Sequence, residues 1–309
     1  MTSGRTDSRP PGGELIAALL ARCDFPRAGT AVTCAVSGGA DSLALLVLAV
    51  ESGGDVTAIH VDHGLRPGSR DEADVVRAVA ERFGAAFEAR RADLAPGPNL
   101  EARARTARYA VLPSDVLTGH TADDQAETVL LNLLRGAGLD GLAGMDPRRR
   151  PLRRLRRSET WALCDILGLR PVEDPTNVDP AFRRNRVRHE LLPLLGDIAD
   201  RDVVPVLARQ AELARDDVAL LDELAAALDP CDARKLTAAP AALARRAVRR
   251  WLRTGGPGGD EQHPPDAATV DRVLAVARGD ALACELPGGW RVARSRGRLR
   301  LDRQQSPLA

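Results

Sequence analysis

A short glycine turn carries the strongest chemical signal in the sequence. It reads Ser37-Gly38-Gly39-Ala40-Asp41-Ser42 and stands between an apolar, strand-like run and a helix rich in Leu and Ala. Glycines let a backbone approach an anion closely, and a helix start offers unpaired N–H groups and a positive dipole end. Asp41 would repel a phosphate directly, so its expected role is to hold Mg²⁺ that bridges phosphate oxygens. The turn predicts a phosphate site; a plain helix cap is the alternative.

A cluster of ionisable residues opens a later helix, directly after a predicted strand. It contains His120, Asp123, Asp124 and Glu127. Asp124 and Glu127 are three positions apart, so their carboxylates share one helix face. They follow the carboxyl end of a strand, where ligands of open parallel sheets bind. The pair therefore suits a cationic substrate, while metal binding that includes His120, or a simple dipole effect, remains open as an alternative.

Arginine-rich segments are candidates for anion contacts. Residues 148–157 hold seven arginines in ten positions, and Arg184, Arg186 and Arg188 form a second group. Guanidinium groups can hold phosphates through forked hydrogen bonds. Arg103, on another predicted helix, could neutralise a phosphate or a carboxylate. The chain has a single lysine among 44 basic residues, so arginine density alone is a weak signal and a solvated basic face is the alternative.

Strands and helices alternate through the first part of the chain. This order predicts an α/β fold: a doubly wound, mostly parallel sheet with helices on both faces. The predicted strands are 31–36, 56–61, 86–90 and 115–119, and the predicted helices are 41–50, 69–83, 100–111 and 122–135. Helical patterns dominate later, before strand-like runs at 281–286 and 290–301. We predict a disordered lead-in with a leading helix (1–28), a catalytic domain (29–198) and a smaller helix-rich domain (199–309).

Composition excludes several classes of protein. No apolar run approaches the roughly 20 residues that a membrane span needs, and residues 1–13 lack the apolar stretch of a secretory signal. Five separated cysteines without a CxxC pair argue against a zinc ribbon or an iron–sulfur site. The net charge of +1 by itself predicts no polyanionic partner. We expect a cytoplasmic protein with neither membrane nor DNA as a partner.

Further motifs resemble one family. The glycine turn is similar to the SGGxDS turn of the PP-loop ATP pyrophosphatases, which have an adenine nucleotide alpha hydrolase-like fold and grip the phosphates that leave as pyrophosphate. The ordered set of motifs closely resembles the tRNA(Ile)-lysidine synthases and covers roughly residues 31–195. The motifs that carry it are at 60–66, 101–109, 119–128, 135–139, 150–152, 173–177 and 184–193.

The resemblance implies a reaction and a set of site residues. The enzyme would use ATP and Mg²⁺ to adenylate the wobble cytidine of the CAU anticodon of tRNA(Ile), and would then join L-lysine to C2 with release of AMP. Asp41, Asp124, Glu127 and Arg103 would be catalytic, and Asp124 or Glu127 is the candidate base. ATP would bind Ser37, Gly38, Gly39, Ala40, Asp41, Ser42 and His63, lysine would bind Asp124 and Glu127, and tRNA would bind Arg184, Arg186 and Arg188.

Two other functions compete with this interpretation. The first is a PP-loop tRNA thiolase, but sulfur delivery usually needs paired or clustered cysteines, which the sequence lacks. The second is a non-catalytic RNA-binding protein with a vestigial nucleotide fold. The intact Asp41, Asp124 and Glu127 argue against such decay.

Overall fold

The chain forms two compact units, residues 1–212 and 213–309, in a computed structural model. The structure describes residues 12–62, 69–92, 100–172, 175–255 and 265–303. The division falls inside a 23-residue helix that begins at Val204, after the domain boundary predicted at 198/199. Within the described ranges, no helix combines the length and the apolar character that crossing a membrane requires.

A four-stranded parallel sheet forms the centre of the first unit. Its strands are β1 (Ala31–Ala35), β2 (Asp55–Asp62), β3 (Ala86–Arg91) and β4 (Leu117–Thr118). Their spatial order is β3-β2-β1-β4, and every neighbouring pair is parallel. The chain winds outward from β1 to β3 and then returns to add β4 on the other side of β1. This reversal confirms the predicted doubly wound fold and leaves a crevice beyond the carboxyl ends of β1 and β4.

Helices connect these strands and complete the first unit. The predicted helices at 69–83 and 100–111 are found with those bounds. The helices are α1 (Gly13–Leu20), α2 (Ala40–Glu51), α3 (Ser69–Phe83), α4 (Leu100–Val111), α5 (Ala122–Leu134), α6 (Leu139–Leu142), α7 (Arg157–Ile166), α8 (Arg183–Arg186) and α9 (Leu192–Ala199), and α10 (Val204–Ala226) runs on into the second unit.

Helix α2 is the core of the first unit. Every residue from Leu43 to Ala49 is fully buried, because apolar side chains surround this helix on all sides. It packs against α7 as well as against β1 and β2. The glycine turn leads directly into α2. It is therefore anchored to a helix that is buried on every face and is expected to move little.

The second unit combines helices with a small antiparallel sheet. Its core includes Leu252, Val273, Val292 and Leu299. The elements that follow α10 are α11 (Ala233–Ala238), α12 (Ala241–Gly255), α13 (Ala267–Arg278), β5 (Ala283–Leu286), β6 (Trp290–Ser295) and β7 (Arg298–Arg303).

One predicted strand of the second unit is two strands. The pattern at 290–301 predicts a continuous run, but the chain reverses at Arg296 and Gly297 to pair β6 with β7. Both turn residues have positive φ, 50° and 77°, as in the tight turns whose twist suits a hairpin. Arginine is not a typical residue for the left-handed region, which is why the sequence pattern did not reveal this turn.

Gly119 lets the end of β4 pass against the start of α2. A Cβ atom at this position would lie 2.5 Å from the carbonyl oxygen of Asp41 and 3.1 Å from Cα of Ser42. Both neighbours are backbone atoms of a buried helix, so they cannot rotate away as a side chain would. The absence of a side chain at Gly119 therefore brings the residues after β4 next to the glycine turn.

We expect Gly119→Ala to lower the free energy of unfolding by about 1–3 kcal/mol, the usual cost of overpacking. The matched control is Gly138→Ala, because a Cβ atom at Gly138 meets nothing within 4 Å. Urea unfolding followed by circular dichroism measures both variants. Equal stability of the two variants would show that β4 and α2 do not approach each other this closely.

Candidate active site

The glycine turn folds into an open cradle at the end of β1. Gly38 has φ +88°, a conformation that favours glycine, and a Cβ atom there would lie 3.2 Å from the side chain of Val172. The Ser42 hydroxyl donates to the Gly39 carbonyl at 2.8 Å and accepts from the Ser37 N–H at 3.1 Å. Gly39 is the N-cap of α2 and has no side chain that could cap the helix. The first N–H groups of α2 therefore point to whatever anion enters the cradle.

A cavity of about 620 Å³ opens in front of this cradle. It lies at the carboxyl ends of β1, β2 and β4, where the winding of the sheet reverses. Its lining includes the apolar residues Ile59, Val61 and Leu112 and the acidic residues Asp41, Glu72 and Asp124. The remaining lining includes Ser37, Gly39, Ala40, Ser42, His60, Arg108, Tyr109, His120, Arg157, Trp161, Val172, Asn177, Arg188 and His189.

Three carboxylates and three guanidinium groups meet beside the cavity. We call this set the ionic cluster; it consists of Asp41, Asp124, Glu127, Arg157, Arg184 and Arg188. Its formal charges cancel.

Arg157 is the member that touches all three carboxylates. Its guanidinium lies 3.4 Å from Asp41, 3.0 Å from Asp124 and 3.2 Å from Glu127. The backbone N–H of Arg157 also donates to Asp123 at 2.8 Å. Arg157 thus links the start of α7 to the starts of α2 and α5.

Glu127 forms the buried floor of the ionic cluster. Its side chain is fully buried. It accepts from Arg184 Nε at 2.6 Å and from Arg188 Nε at 2.7 Å. A buried carboxylate would be costly without such partners, so the two arginines stabilise the ionised form.

Asp124 has a double role in the structure. Its Oδ2 accepts from the Thr121 N–H at 2.8 Å and closes a capping box at the start of α5. Its Oδ1 accepts from Arg157 and Arg184 at 3.0 Å each. Burial raises the pKa of Asp124, but the charges of His120, Arg157 and Arg184 outweigh burial and hold the pKa well below its usual range. A carboxylate with so low a pKa is a weak general base.

Asp41 differs from Asp124 in its electrostatic surroundings. Burial and the negative charge of Asp124 raise the pKa of Asp41 to about 6, although Thr160 and Arg157 act in the opposite direction. Thr160 donates its hydroxyl to Asp41. The ionised form of Asp41 is therefore only partly compensated by the protein, and a cation in the cavity would stabilise it.

A continuous helical segment presents Arg184 and Arg188 on one side. Helix α8 continues through one π-helical turn, Val187–Leu191, into α9. Pro193 explains the wider turn, because proline has no N–H for the carbonyl of His189 and its ring would clash with that carbonyl. Residues four apart share a helix face, so Arg184 and Arg188 both reach the carboxylates of α5.

The remaining predicted site residues lie in different surroundings. Arg186 points away from the ionic cluster and pairs with Glu190 at 2.8 Å on the surface. Arg103 lies on α4 but outside the cavity lining, whereas Arg108 of the same helix lines the cavity. His63 falls outside the described residues. The structure thus brings together Asp41, Asp124, Glu127, Arg184 and Arg188, and places Arg186 apart from them on the surface.

Arg157 and Thr160 are contacts of Asp41 that the sequence did not single out. Arg157 was hidden in the arginine run, whose other members pair within the first unit: Arg153 with Asp24 at 2.9 Å and Arg156 with Asp123 at 3.0 Å. The signal in the sequence that could have identified these two residues was their position at the start of a helix. Arg157 is the last residue of the run and the first residue of α7, and Thr160 follows it by one helical turn.

The pKa of Asp41 predicts a stability that depends on pH. Because the folded-state pKa of about 6 lies above the ordinary value of 3.8, ionisation destabilises the fold as pH rises from about 4 to about 6. Asp41→Asn removes this effect. At pH 7.5 in EDTA we expect the variant to exceed the wild type by roughly 1–2 kcal/mol, less than the full linkage value because the side chain is partly exposed.

Urea unfolding at pH 4 and at pH 7.5 measures this difference, which we expect to vanish at the lower pH. The control is Asp74→Asn, which removes an exposed carboxylate that pairs with Arg77. An Asp41→Asn variant that is less stable than the wild type at pH 7.5 would contradict the prediction.

Comparisons with known proteins agree with this geometry. Residues 15–195 match a family model described as a PP-loop domain, and residues 232–300 match one described as a TilS substrate binding domain. A tRNA(Ile)-lysidine synthase from Nocardia farcinica is 45% identical over 303 residues, which cover 91% of this chain and 94% of the relative. One from Rhodococcus erythropolis is 46% identical over 245 residues, covering 73% and 74%.

A solved structure is similar in fold. The U34-tRNA thiolase NcsA from Methanococcus maripaludis superposes with a TM-score of 0.52 at 18% identity, covering 66% of this chain and 78% of the thiolase. At that identity the likeness shows the fold alone. The curated relatives extend over most of both chains at more than 40% identity, and the chain therefore belongs to the tRNA(Ile)-lysidine synthase family.

Proposed function

We propose that this protein ligates free L-lysine to C2 of the wobble cytidine in the CAU anticodon of tRNA(Ile). The cytidine O2 attacks the α-phosphorus of ATP, and pyrophosphate leaves. The ammonium of lysine gives a proton to Asp124 or Glu127, its ε-amine attacks C2, and the C2–O2 bond breaks so that AMP leaves with the former O2. Family membership supports the reaction, and a single observation supports its location: the cradle and four members of the ionic cluster, Asp41, Asp124, Arg157 and Arg188, line one cavity at the switch point of the sheet. The cytoplasm, which supplies tRNA and free lysine, is the proposed compartment.

The cradle is the proposed seat of the departing pyrophosphate. Gly38 and Gly39 present backbone, and the dipole of α2 favours negative charge at its start. The protein's contribution to this step is to orient the triphosphate and stabilise charge in a fixed environment. Ser37 and Ser42 hold the shape of the turn through their hydroxyl contacts.

Asp41 is the proposed protein ligand for Mg²⁺. Among the described residues, no group of three or more His, Cys, Asp or Glu side chains could hold a metal alone. One carboxylate together with substrate phosphates and water is an ordinary magnesium environment. The raised pKa of Asp41 fits this role, because its ionised form lacks a full countercharge. When bound, Mg²⁺ would neutralise charge on the phosphate oxygens.

Asp124 and Glu127 remain the proposed site for the lysine ammonium. Asp124 lines the cavity, whereas Glu127 is fully buried, so the ammonium would reach Asp124 first. Because the ionic cluster is already neutral, a new cation is accommodated when one guanidinium turns to another anion. Arg157 is the arginine that borders both Asp41 and the cavity, so we propose that it turns toward the triphosphate.

Arg184 and Arg188 then stay paired with Glu127, so their guanidinium groups serve the interior of the site. This leaves Arg186 as the surface member of the group and the one proposed to contact tRNA phosphates. The bases must leave the anticodon stack to reach a cavity of this kind. Arg103 is retained as a proposed catalytic residue on the family resemblance alone.

The cysteines favour ligation over sulfur transfer. All five are free. Burial raises the pKa of Cys34 and of Cys164 to about 12, so their nucleophilic thiolate forms are scarce near neutral pH. A thiolase would need a reactive sulfur carrier at the cavity.

The proposed function predicts a covalent product. Unmodified tRNA(Ile) with a CAU anticodon, ATP and isotope-labelled lysine should yield labelled lysidine, detected by mass spectrometry of nucleosides, together with AMP and pyrophosphate. We expect Asp41→Asn to lower pyrophosphate release by about a hundredfold or more while tRNA still binds. Asp74→Asn is the control and should react as the wild type does. Sulfur incorporation, or tRNA binding without pyrophosphate release, would refute the proposal.

The proposed reorientation of the Arg157 side chain toward the triphosphate predicts a separate loss of activity. Arg157→Gln should lower the rate of tRNA-dependent pyrophosphate release by about a hundredfold, because the triphosphate loses a mobile countercharge. Arg157→Lys should recover part of the rate, since it restores charge without the forked geometry. The control is Arg154→Gln, which lies in the same run but pairs with Glu212 at the surface. Wild-type rates in Arg157→Gln, with Arg154→Gln also active, would remove Arg157 from the reaction.

A further inference from the structure

His60 has a buried ring nitrogen, Nε2, that has no hydrogen-bond partner among the described residues. The side chain belongs to β2, is 2% exposed and borders the cavity. Its Nδ1 lies 3.0 Å from the carbonyl oxygen of Val36, the residue that directly precedes the glycine turn. Its Nε2 is buried and lacks a hydrogen-bond partner in the described part of the chain. Leaving such an atom without a partner costs on the order of a whole hydrogen bond.

The contact with Val36 fixes which nitrogen carries the proton. A carbonyl oxygen can only accept, so Nδ1 of His60 must donate. With its proton on Nδ1, the ring presents the lone pair of Nε2 to its surroundings. What the atom lacks is a donor.

The surroundings of His60 indicate what kind of molecule brings that donor. Ile59, Val61 and Leu112 contribute apolar surface to the lining of the cavity beside His60, and Arg108 and Tyr109 line the cavity one helical turn before Leu112. Such a surface suits the flat face of a nucleobase better than the hydroxyls of a sugar, which would lose water there. The donors of nucleobases are exocyclic amines and ring N–H groups, and the base of ATP has only the exocyclic amine.

We propose that His60 Nε2 accepts a hydrogen bond from the exocyclic amine of adenine and thereby makes the cavity select ATP over GTP. Guanine carries a carbonyl oxygen at the same ring position, and two acceptors facing each other in a buried site repel. A site that pairs a buried acceptor with a substrate amine rejects analogues that lack it. The inference rests on the proposed ATP site and adds its base specificity.

The test compares nucleotides that differ only in the relevant groups. Isothermal titration calorimetry of the full chain with Mg²⁺, without tRNA or lysine, measures the affinities for ATP, GTP, purine riboside triphosphate and 2′- and 3′-deoxy-ATP. Purine riboside triphosphate lacks only the amine. We expect it to bind about tenfold more weakly than ATP, the effect of one hydrogen bond, and GTP to bind more weakly still. We expect both deoxy nucleotides to bind as ATP does.

Two variants separate the two nitrogens of the ring. His60→Asn keeps an N–H near the Nδ1 position for the Val36 carbonyl but has no acceptor at the Nε2 position, so the tenfold preference for ATP should disappear. His60→Gln reaches the Nε2 position with an amide oxygen, so part of the preference should return. Thermal melts of both variants verify that they are folded, and the ratio of affinities within each variant is independent of small losses in overall binding.

Other results would contradict the role of His60, the identity of the donor, or the proposed function itself. Equal binding of ATP and purine riboside triphosphate by the wild type, or an unchanged ratio in His60→Asn, refutes the role of His60. A loss confined to a deoxy nucleotide assigns the donor to a sugar hydroxyl and refutes the amine. If the folded wild type binds no triphosphate at all, the proposed function itself fails, and this result differs from every outcome that concerns His60 alone.

Discussion

The whole site depends on the need to neutralise carboxylates that the fold has buried next to one another. Asp41 starts α2, and Asp124 and Glu127 lie in the first turns of α5. Ionised carboxylates in such a place are unstable without paired cations, and removing one partner from a buried pair typically costs about 3–5 kcal/mol. Arg157 and Arg184 meet this need from α7 and α8. These ion pairs thereby hold the starts of α2, α5, α7 and α8 together beside one cavity.

The same neutrality makes the site responsive to ligands. Under the proposed function, a guanidinium released from a carboxylate meets a phosphate while an ammonium takes its place, so that the formal charges stay balanced. Arg157 is suited to this exchange because its longest contact in the ionic cluster, 3.4 Å, is the one with Asp41. Charge balance would thus give the proposed ligands, ATP and lysine, a physical reason to bind as a pair.

Local sequence patterns predicted the scaffold well because the relevant physics is local. The glycine turn, the alternation of strands and helices, and the shared face of Asp124 and Glu127 depend on residues a few positions apart. The partners of the carboxylates did not emerge, because Arg157 lies 116 positions from Asp41 and looks like every other arginine in its run. The hairpin at Arg296 was missed for a related reason: tertiary pairing of β6 with β7 overrode a weak local preference. Ion pairs and strand pairs between residues far apart in the sequence are determined by the tertiary fold, so local patterns do not predict them.

The cavity divides its chemistry according to the strands that border it. The β4 side carries Asp124, because β4 leads directly into the acidic start of α5. The β2 side contributes the apolar residues Ile59 and Val61 together with His60, whose Nδ1 donates to the carbonyl of Val36. A charged residue at His60 would disturb the balance of the ionic cluster, whereas a neutral acceptor can read a base without adding charge. Under the proposed function, recognition of the base and handling of the charged groups belong to β2 and β4, the two strands on either side of β1.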